Sequence, residues 1–481
     1  MTTFGCPIRE GARAHPEAEA LTYAGRSWSY GALDAEVNRW VAALEVRGLG
    51  AGQRVALLST NQPACVFLFW ALGRLGALLA PLNARLTRAE LAPLVEDIAP
   101  ALTLAMGALR ERLPDAEPLE TFAATTTSTT CVSLTEDSPR VVLFTSGTTG
   151  RPKGAVLTEG NFRASCRASA ENLGAHPAPR WLGTLPLFHV GGLAMLTRTA
   201  YEGGCLVLHE RFDAEATSRA IDEGVTHASL VATTLERVLD IRASRRVPET
   251  FKLALIGGGP VPVFLLERAR AVGLLALQTY GLTEACSQVT TEHPTEADGR
   301  TAGRPIPGTQ VRIVGDDGAA RGTGEEGNIE VRGPTVMAGY WNRPDATREA
   351  FRDGWLHTKD LGVLDARGHL TVLSRRTDLI VRGGENIYPA EIEAVLANHP
   401  SVQEAAVIGV PDAKWGEVPV AFLAPRAGPS RPEEQVLEAW CRESLAGFKL
   451  PTRFIWLDAL PRNAMGKLER TALRKRVADG G

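Results

Sequence analysis

Residues 141–154 read VVLFTSGTTGRPKG, an apolar run followed at once by a loop of small and hydroxyl residues. The run Val141–Phe144 predicts a buried strand. The loop from Thr145 to Gly154 has three glycines, four hydroxyl residues and one lysine. Backbone N–H groups, hydroxyls and an ammonium group in this order suit the binding of phosphate oxygens. The loop lacks the G-x-x-x-x-G-K-[ST] order of a Walker A loop, so a different class of nucleotide site is indicated.

The rest of the chain alternates short strand-like runs with helical stretches, which predicts an α/β sheet protein. Thr158 is the predicted N-cap of a helix that follows the loop. Residues 121–139 are rich in Thr and Ser and predict a surface connection after which a new folding unit begins. Residues 303–373 predict a small β-barrel-like subdomain of short strands. The remaining predicted elements are a helix at 389–397, strands at 405–410 and 418–424, and a helix near 432–445.

Composition limits the class of protein. The 481 residues suffice for two or three folding units, and 44% hydrophobic with 22% charged residues excludes a disordered or collagen-like chain. Lys plus Arg (52) against Asp plus Glu (55) gives a net charge of −3, so no global field attracts nucleic acid or an anionic membrane. The basic clusters at 242–246 and 474–476 are expected to be solvated faces.

Seven scattered cysteines without a Cys-x-x-Cys pair argue against a disulfide framework and against a zinc site. The N-terminus has no apolar signal region, and the apolar stretch 64–79 is interrupted by Arg74 and too short for a membrane span. We therefore expect a reduced, cytoplasmic enzyme without a membrane span or a nucleic-acid partner. A homodimer is compatible with the sequence, which does not set the oligomeric state.

The loop FTSGTTGRPKG resembles the phosphate-binding signature of the adenylate-forming superfamily, which includes acyl-CoA synthetases and adenylation domains of nonribosomal peptide synthesis. Further segments resemble the other motifs of this superfamily in the same order. These segments are PLFHVGG (186–192), GGGP (257–260), YGLTE (280–284), Asp360, Arg375, GGEN (383–386) and PRNAMGK (461–467). The resemblance covers nearly the whole chain.

The resemblance implies a role for each matching residue. It implies that Asp360 and Arg375 contact the ribose hydroxyls and that Glu284 and Thr148 hold Mg²⁺. Taken without the resemblance, GGGP also fits an ordinary turn and Asp360 an ordinary surface ion pair. The nucleotide and cofactor site implied comprises Thr145, Ser146, Gly147, Thr148, Thr149, Gly150, Lys153, Gly257, Gly258, Gly259, Tyr280, Gly281, Thr283, Glu284, Asp360, Arg375, Gly383 and Gly384.

Lys467 is the predicted catalytic residue, with His189 in a supporting role. Attack of a carboxylate on the α-phosphorus of ATP brings two anions together, and a bridging ammonium group offsets their repulsion in the transition state. The resemblance further implies two domains, a large one of residues 1–376 and a small mobile α+β lid of residues 377–481 that rotates about Thr377 between two half-reactions. Lys467 then serves adenylation, and the Gly383–Asn386 loop serves thioester formation. ATP, Mg²⁺ and coenzyme A are the implied cofactors and cosubstrates.

Two positions depart from the common pattern of the superfamily. Lys359 stands directly before Asp360, where relatives usually have glycine. Thr377 stands at the hinge, where many relatives have Asp or Lys.

Within the superfamily, the segments SRRTDLIVRGGENIYPAEIE, KWGEVP and LPRNAMGKL resemble the o-succinylbenzoate–CoA ligases of menaquinone biosynthesis. This resemblance implies an acid substrate with a second carboxylate, bound near His189, Gly191, Ser287 and Gln288. Ser287 and Gln288 are equally compatible with ordinary polar helix residues, and no residue of the sequence is identified as the partner of a second carboxylate. The alternatives are a fatty-acid or aryl-acid CoA ligase, a stand-alone adenylation module that loads a carrier protein, and a non-catalytic adenylate-binding protein.

Overall fold

The structure is a computed structural model that describes residues 2–145, 152–259, 261, 263–375, 380–426, 430–461 and 468–478. No helix within these ranges is both long and apolar enough to cross a membrane. The helices in the described residues are α1 Pro7–Ala14, α2 Tyr30–Val46, α3 Pro63–Leu75, α4 Arg88–Ile98, α5 Glu159–Leu173, α6 Val190–Tyr201, α7 Ala214–Asp222, α8 Ala232–Arg242, α9 Val263–Ala271, α10 Pro344–Ala350, α11 Pro389–Ala397, α12 Glu434–Ser444 and α13 Arg470–Ala478.

The strands form four sheets, which confirms the predicted α/β class. They are β1 Glu19–Tyr23, β2 Arg26–Ser29, β3 Arg54–Leu58, β4 Leu78–Leu82, β5 Leu102–Ala105, β6 Glu117–Pro118, β7 Pro139–Thr145, β8 Lys153–Thr158, β9 Arg180–Gly183, β10 Cys205–Leu208, β11 His227–Leu230, β12 Leu253–Ile256, β13 Ala276–Leu282, β14 Ser287–Thr291, β15 Arg304–Pro305, β16 Gln310–Val314, β17 Gly327–Arg332, β18 Gly339–Tyr340, β19 Phe351–Arg352, β20 Trp355–Leu364, β21 Leu370–Arg375, β22 Ile380–Arg382, β23 Glu385–Ile387, β24 Val402–Asp412, β25 Gly416–Pro425 and β26 Arg453–Trp456.

A seven-stranded sheet has the order β18-β8-β7-β4-β3-β5-β6. In it Val141 of β7 pairs in parallel with Leu79 of β4. The prediction that a new unit begins after residue 139 is therefore wrong, because β7 belongs to the same sheet as the earlier strands β3 and β4. Strand β8 was also missed: its short apolar run is stabilised by β7 and by the distant strand β18, in which Gly339 pairs with Val156.

A nine-stranded sheet has the order β15-β14-β13-β12-β11-β9-β10-β1-β2. Strand β9 lies between β10 and β11. The chain therefore runs from β9 through α6 to β10 on one side, and then through α7 to β11 on the other side of β9. Right-handed crossovers in opposite directions place helices on opposite faces of a sheet. Accordingly, α6 contributes to one hydrophobic cluster, whereas α7, α8 and α9 contribute to another. Ligands of such sheets bind beyond the carboxyl ends of the strands at this reversal, which here is the segment following β9.

The predicted small β subdomain is a five-stranded sheet of β16, β17, β20 and β19, with β21 beside β20. It packs over a core that includes Ile313, Ile329 and Leu370. Its central strand β20 carries Asp360 inward and Lys359 outward.

By internal contacts the described residues form two compact units. One contains those of ranges 1–84, 95–144 and 154–374, and the other contains those of 85–94, 145–153 and 375–481. In the second unit the long β24–β25 hairpin contributes to two hydrophobic clusters. Helices α11 and α12 contribute to one of them, and α13 contributes to the other. Helix α11 has the predicted bounds, and the predicted strands at 405–410 and 418–424 lie within β24 and β25. The two predicted domains, 1–376 and 377–481, stay a prediction.

Local signals predicted helix α5 well. Thr158 is its N-cap, and its side chain accepts a hydrogen bond from the Asn161 N–H while the Asn161 side chain accepts one from the Thr158 N–H. The expectation for the basic clusters is wrong at Arg242, which is 2% exposed and donates to Asp222 and to Ser218. An arginine at the end of a helix can be satisfied by carbonyl and carboxylate groups of neighbouring turns, which a sequence does not reveal.

Glu159, the first residue of α5, is fully buried beside Arg140. Arg163 Nε and Tyr201 O–H also donate to its carboxylate, at 2.6 and 2.5 Å. Burial opposes ionisation, but Arg140 and these two donors together lower the pKa of Glu159 below its ordinary value.

Glu159→Gln is expected to lower the free energy of unfolding by about 3–5 kcal/mol, since it leaves the buried Arg140 without its counterion. Because the folded-state pKa is lowered, this stabilisation is complete above the unfolded-state pKa and is lost as the pH falls through the folded-state pKa. Urea unfolding at several pH values measures both effects. The control is Asp345→Asn, which removes a largely exposed ion pair to Arg348 and should change stability by less than about 1 kcal/mol. Equal losses in both variants would contradict this role.

Candidate active site

The glycine run follows β12 at the carboxyl edge of the nine-stranded sheet. Gly258 has a φ of +83°, which favours glycine. A Cβ at Gly257 would lie 3.0 Å from the Thr279 Cγ2 atom, whereas one at Gly259 would meet no atom of the described residues within 4 Å. The run therefore packs closely on β13 at its first residue and presents open backbone at its third, as a site for a flat base requires.

Tyr280 and Asp360 come from different sheets and meet directly. The Tyr280 O–H donates to Asp360 Oδ2 at 2.6 Å, and Asp360 is only 7% exposed. A carboxylate accepts several hydrogen bonds at once, so one oriented in this way can also accept from ribose hydroxyls. Lys359 has a φ of +64°, a conformation that glycine adopts without strain and in which a side chain costs about 1–2 kcal/mol.

Glu284 is fixed through both its side chain and its backbone. The Tyr340 O–H donates to Glu284 Oε1 at 3.0 Å, and the Glu284 carbonyl accepts from the Met337 N–H at 2.8 Å. Tyr340 pairs with Ala155 of β8, the strand that follows the predicted phosphate-binding loop. Within the described ranges no group of three acidic, histidine or cysteine side chains could hold a metal by itself. A single carboxylate oxygen fits Mg²⁺ bound with a nucleotide, because the phosphates and water supply its other ligands.

The predicted phosphate-binding loop is described only at its ends. Thr145 Oγ1 donates to the Lys153 carbonyl at 3.3 Å, and Lys153 opens β8. Arg375 ends β21, and its side chain is not described. The predicted residues that lie outside the described ranges are Ser146, Gly147, Thr148, Thr149, Gly150, the hinge Thr377 and the catalytic Lys467.

The segment after β9 turns tightly into α6. His189 is the N-cap of α6, and its ring lies 4.7 Å from that of Phe188. A Cβ at Gly192 would lie 2.2 Å from the Pro186 carbonyl oxygen, and one at Gly191 would lie 3.1 Å from Leu185 Cδ1. The two glycines thus allow the chain to fold back on itself, which sets His189 at the strand reversal.

Ser287 and Gln288 begin a strand, β14, and not a helix as one interpretation of the sequence supposed. Cys286 and Ser287 have φ values of +51° and +89°, two successive strained residues. A Cβ at Gly281 would lie 1.7 Å from the Ser287 carbonyl oxygen, so β13 can pass this turn only with glycine there. Gln288 pairs in register with Gly281, and its side chain is buried beside α6.

Arg198, which the sequence analysis did not single out, is buried in α6 with 2% exposure. Its Nη2 donates to Gln288 Oε1 at 3.0 Å, and its guanidinium carbon lies 4.6 Å from the centroid of the Trp181 ring. Its Nε and Nη1 atoms have no hydrogen-bond partner among the residues that the structure describes. Burial lowers the pKa of Arg198, although Glu202 one turn further along opposes this effect. A signal was present in the sequence, since Arg198 is a lone charge between Leu193 and Ala200.

In the second unit, Gly383 and Gly384 join β22 to β23 with φ values of +56° and +84°. The Gly383 N–H donates to the Trp415 carbonyl at 2.7 Å. Trp415 is 40% exposed, and the Arg382 guanidinium and the Lys414 ammonium lie 5.6 and 4.9 Å from its ring centroid. An exposed aromatic ring between two cations can stack a base and attract its phosphates.

Comparison with known proteins gives consistent matches along the chain. The AMP-binding enzyme family matches residues 8–341, and the AMP-binding enzyme C-terminal domain matches residues 391–467. A 2-succinylbenzoate–CoA ligase of Geobacillus kaustophilus (strain HTA426) is 40% identical, with 99% of each chain covered. A 2-succinylbenzoate–CoA ligase of Bacillus licheniformis is 40% identical over 97% of this chain and 98% of its own.

Solved structures give the same result. A double mutant of o-succinylbenzoate CoA synthetase from Bacillus subtilis, bound to the product analogue OSB-NCoA, has a TM-score of 0.92 and 37% identity, and 98% of each chain is covered. The same enzyme with the acyl-adenylate intermediate OSB-AMP has a TM-score of 0.75, with 99% of this chain and 98% of that chain covered.

Proposed function

Because the chain belongs to the AMP-binding enzyme family, we propose that it is an ATP-dependent acid–thiol ligase that joins 2-succinylbenzoate to coenzyme A in menaquinone biosynthesis. In the first half-reaction a substrate carboxylate attacks the α-phosphorus of ATP, which gives an acyl-adenylate and releases pyrophosphate. In the second, the CoA thiol attacks the acyl carbon and AMP leaves, so that the products are the acyl-CoA and AMP.

One observation carries the choice of acid: the buried Arg198 with two nitrogen atoms that lack a partner in the described part of the chain. A substrate with two carboxylates activates one and keeps the other as an anion. A buried anion is stable only when it is paired and hydrogen-bonded. The fork of a guanidinium group matches a carboxylate with two parallel hydrogen bonds. Arg198 is therefore the proposed partner of the second carboxylate, which the sequence alone did not identify.

A pocket for a fatty acid or a simple aryl acid would gain neither stability nor substrate affinity from such a buried cation. Burying an unpaired guanidinium group lowers stability and offers nothing to an apolar substrate tail. Gln288 and Trp181 hold Arg198 from two sides, as expected for a group with a binding task. These contacts favour the dicarboxylate over the monocarboxylate alternative.

For the nucleotide, Asp360, oriented by Tyr280, is the proposed acceptor of the ribose hydroxyls, and Gly257–Gly259 the proposed support for the base. Glu284 is the proposed protein ligand of Mg²⁺, which when bound neutralises phosphate charge. Thr145, Lys153 and the residues between them are proposed to hold the phosphates. His189 is proposed to line the entrance of the acid.

For coenzyme A, the Gly383–Asn386 loop and Trp415 are the proposed contacts. We further propose that residues 377–481 rotate about Thr377, so that Lys467 serves adenylation and this loop serves thioester formation. We propose a cytoplasmic location, where ATP and coenzyme A are supplied and where seven free cysteines are compatible with reducing conditions.

Trp415→Ala is expected to raise the KM for coenzyme A about tenfold or more, because stacking of a base on an aromatic ring contributes about 1–3 kcal/mol. Steady-state kinetics with varied coenzyme A measures this change, and pyrophosphate exchange into ATP, which reports adenylation alone, should stay at the wild-type rate. Trp415→Phe, which keeps an aromatic face, should retain most of the affinity. An unchanged KM for coenzyme A in Trp415→Ala would remove this residue from the proposed site.

The function is tested by mass-resolved product analysis with ATP, Mg²⁺, coenzyme A and a panel of 2-succinylbenzoate, benzoate and medium-chain fatty acids. Selective formation of the 2-succinylbenzoyl thioester with AMP supports the proposal. Preference for a monocarboxylate would keep the reaction and overturn the acid. An acyl-adenylate without any CoA thioester would indicate a carrier protein as the acceptor.

A further inference from the structure

Residues 85–94 are remote in sequence from residues 375–481 yet belong to the same compact unit. Two ion pairs join them. Arg85 Nη1 lies 3.0 Å from Glu385 Oε1, and Lys449 Nζ lies 2.7 Å from Glu90 Oε1. Lys449 is also 2.7 Å from Glu391 Oε1.

The pair of Lys449 with Glu90 is buried, since their side chains are 7% and 8% exposed. Burial would lower the pKa of Lys449, but Glu391 and Glu90 together raise it, so the ammonium stays charged. A buried ammonium group needs such partners, because its desolvation costs several kcal/mol, on the order of a domain's whole stability. Surface ion pairs between flexible side chains contribute far less.

Glu90 is fixed before it meets Lys449. Its Oε2 accepts from the Thr87 N–H at 2.8 Å and from the Thr87 hydroxyl at 2.9 Å, in a capping arrangement at the start of α4. The other oxygen is thereby aimed at Lys449. Glu385, the partner of Arg85, lies in the Gly383–Asn386 loop to which thioester formation is assigned.

We propose that the segment 85–94 is a latch that holds the small domain for thioester formation, with Lys449 as a positioning residue. This inference rests on the proposed function and its alternation of domains. Residues 85–94 belong to the large predicted domain and residues 385, 391 and 449 to the small one, so rotation for adenylation separates both ion pairs. The two ion pairs therefore stabilise the arrangement for thioester formation relative to the one for adenylation, and they leave the adenylation chemistry unchanged.

The test measures the two half-reactions separately in the full-length chain. In Lys449→Gln, Glu90→Gln and the double variant, adenylation of 2-succinylbenzoate by pyrophosphate exchange should stay within about twofold of wild type. Conversion of presynthesised acyl-adenylate and coenzyme A to the thioester should fall about 10–100-fold in each single variant. The double variant should lose no more than either single variant, since each removes the same pair. Arg85→Ala, which removes the other ion pair, should likewise lower thioester formation and leave adenylation within about twofold of wild type.

Lys475→Gln, which removes an exposed lysine of α13, is the matched control and should leave both half-reactions unchanged. Equal loss of both half-reactions, or losses that multiply in the double variant, would overturn the latch. Thermal unfolding of each variant identifies any that fails to fold. If a variant of Lys449 or Glu90 fails to fold, Arg85→Ala takes its place in the test. A selective loss of thioester formation in Arg85→Ala then supports the latch, and the absence of such a loss overturns it. If the wild-type chain forms no CoA thioester, the proposed function fails, independently of the variants.

Discussion

Arg198→Met is expected to lower kcat/KM for 2-succinylbenzoate about 10²–10³-fold, since truncating one member of a buried charge pair costs 2–5 kcal/mol or more. The reason is that the second carboxylate would enter a buried site without the guanidinium group that pairs with it. The same variant should turn over 4-oxo-4-phenylbutanoate, which lacks the ring carboxylate, at the wild-type rate or faster. Steady-state kinetics with the two acids measures the change in selectivity.

Stability provides the control for this prediction. In the free protein Arg198 is a buried cation with two nitrogen atoms that have no partner in the described residues, so its replacement by an apolar side chain of similar length should not lower the free energy of unfolding. Arg198→Met should thus lower the activity with 2-succinylbenzoate without lowering the free energy of unfolding. Arg198→Lys, which keeps the charge without the planar fork, should retain part of the activity with the dicarboxylate. Equal losses with both acids would contradict the proposed role.

Lys467→Ala is expected to lower the rate of adenylation about 10²–10³-fold, the loss typical of removing one donor that stabilises transition-state charge. Its ammonium group is proposed to bridge the attacking carboxylate and the α-phosphate, whose repulsion is greatest when the new bond forms. Lys467 lies outside the described residues, so this role rests on the sequence. Pyrophosphate exchange into ATP measures adenylation without a contribution from coenzyme A.

The second half-reaction tests whether the loss is specific. Lys467→Ala should still convert presynthesised acyl-adenylate and coenzyme A to the thioester at close to the wild-type rate. Lys475→Gln, eight residues further along the chain, should change neither rate. If Lys467→Ala lost both half-reactions to the same extent, the residue would have a general structural role.

Sequence alone determined the fold class, the order of the motifs and the helices with strong local signals. Thr158 and Asn161 cap α5 because a hydroxyl and an amide three residues apart satisfy backbone groups within one turn. The proline at the start of α11 fixes its first residue in the same local way. Such signals act within a few residues, so they can be read without knowing what packs against them.

Tertiary structure decided features that depend on residues far apart in the chain. Strand β8 exists because residues near 340 pair with it, and β7 belongs to the first sheet because Val141 lies beside Leu79. The register of such pairs is set by the packing of whole sheets, which a local pattern of apolar residues does not specify.

Charge shows the same division. The positions of arginines and lysines can be read from the sequence, but which of them are buried cannot. The sequence analysis assigned no role to Arg198 and placed Arg242 on a solvated face. Arg242 and Lys449 are buried because partners from other segments lie within hydrogen-bond distance of each, whereas Arg198 is buried with Gln288 as its one hydrogen-bond partner among the described residues. The free energy of a buried charge depends on those partners and on the removal of water, so these roles become visible only when the chain is folded.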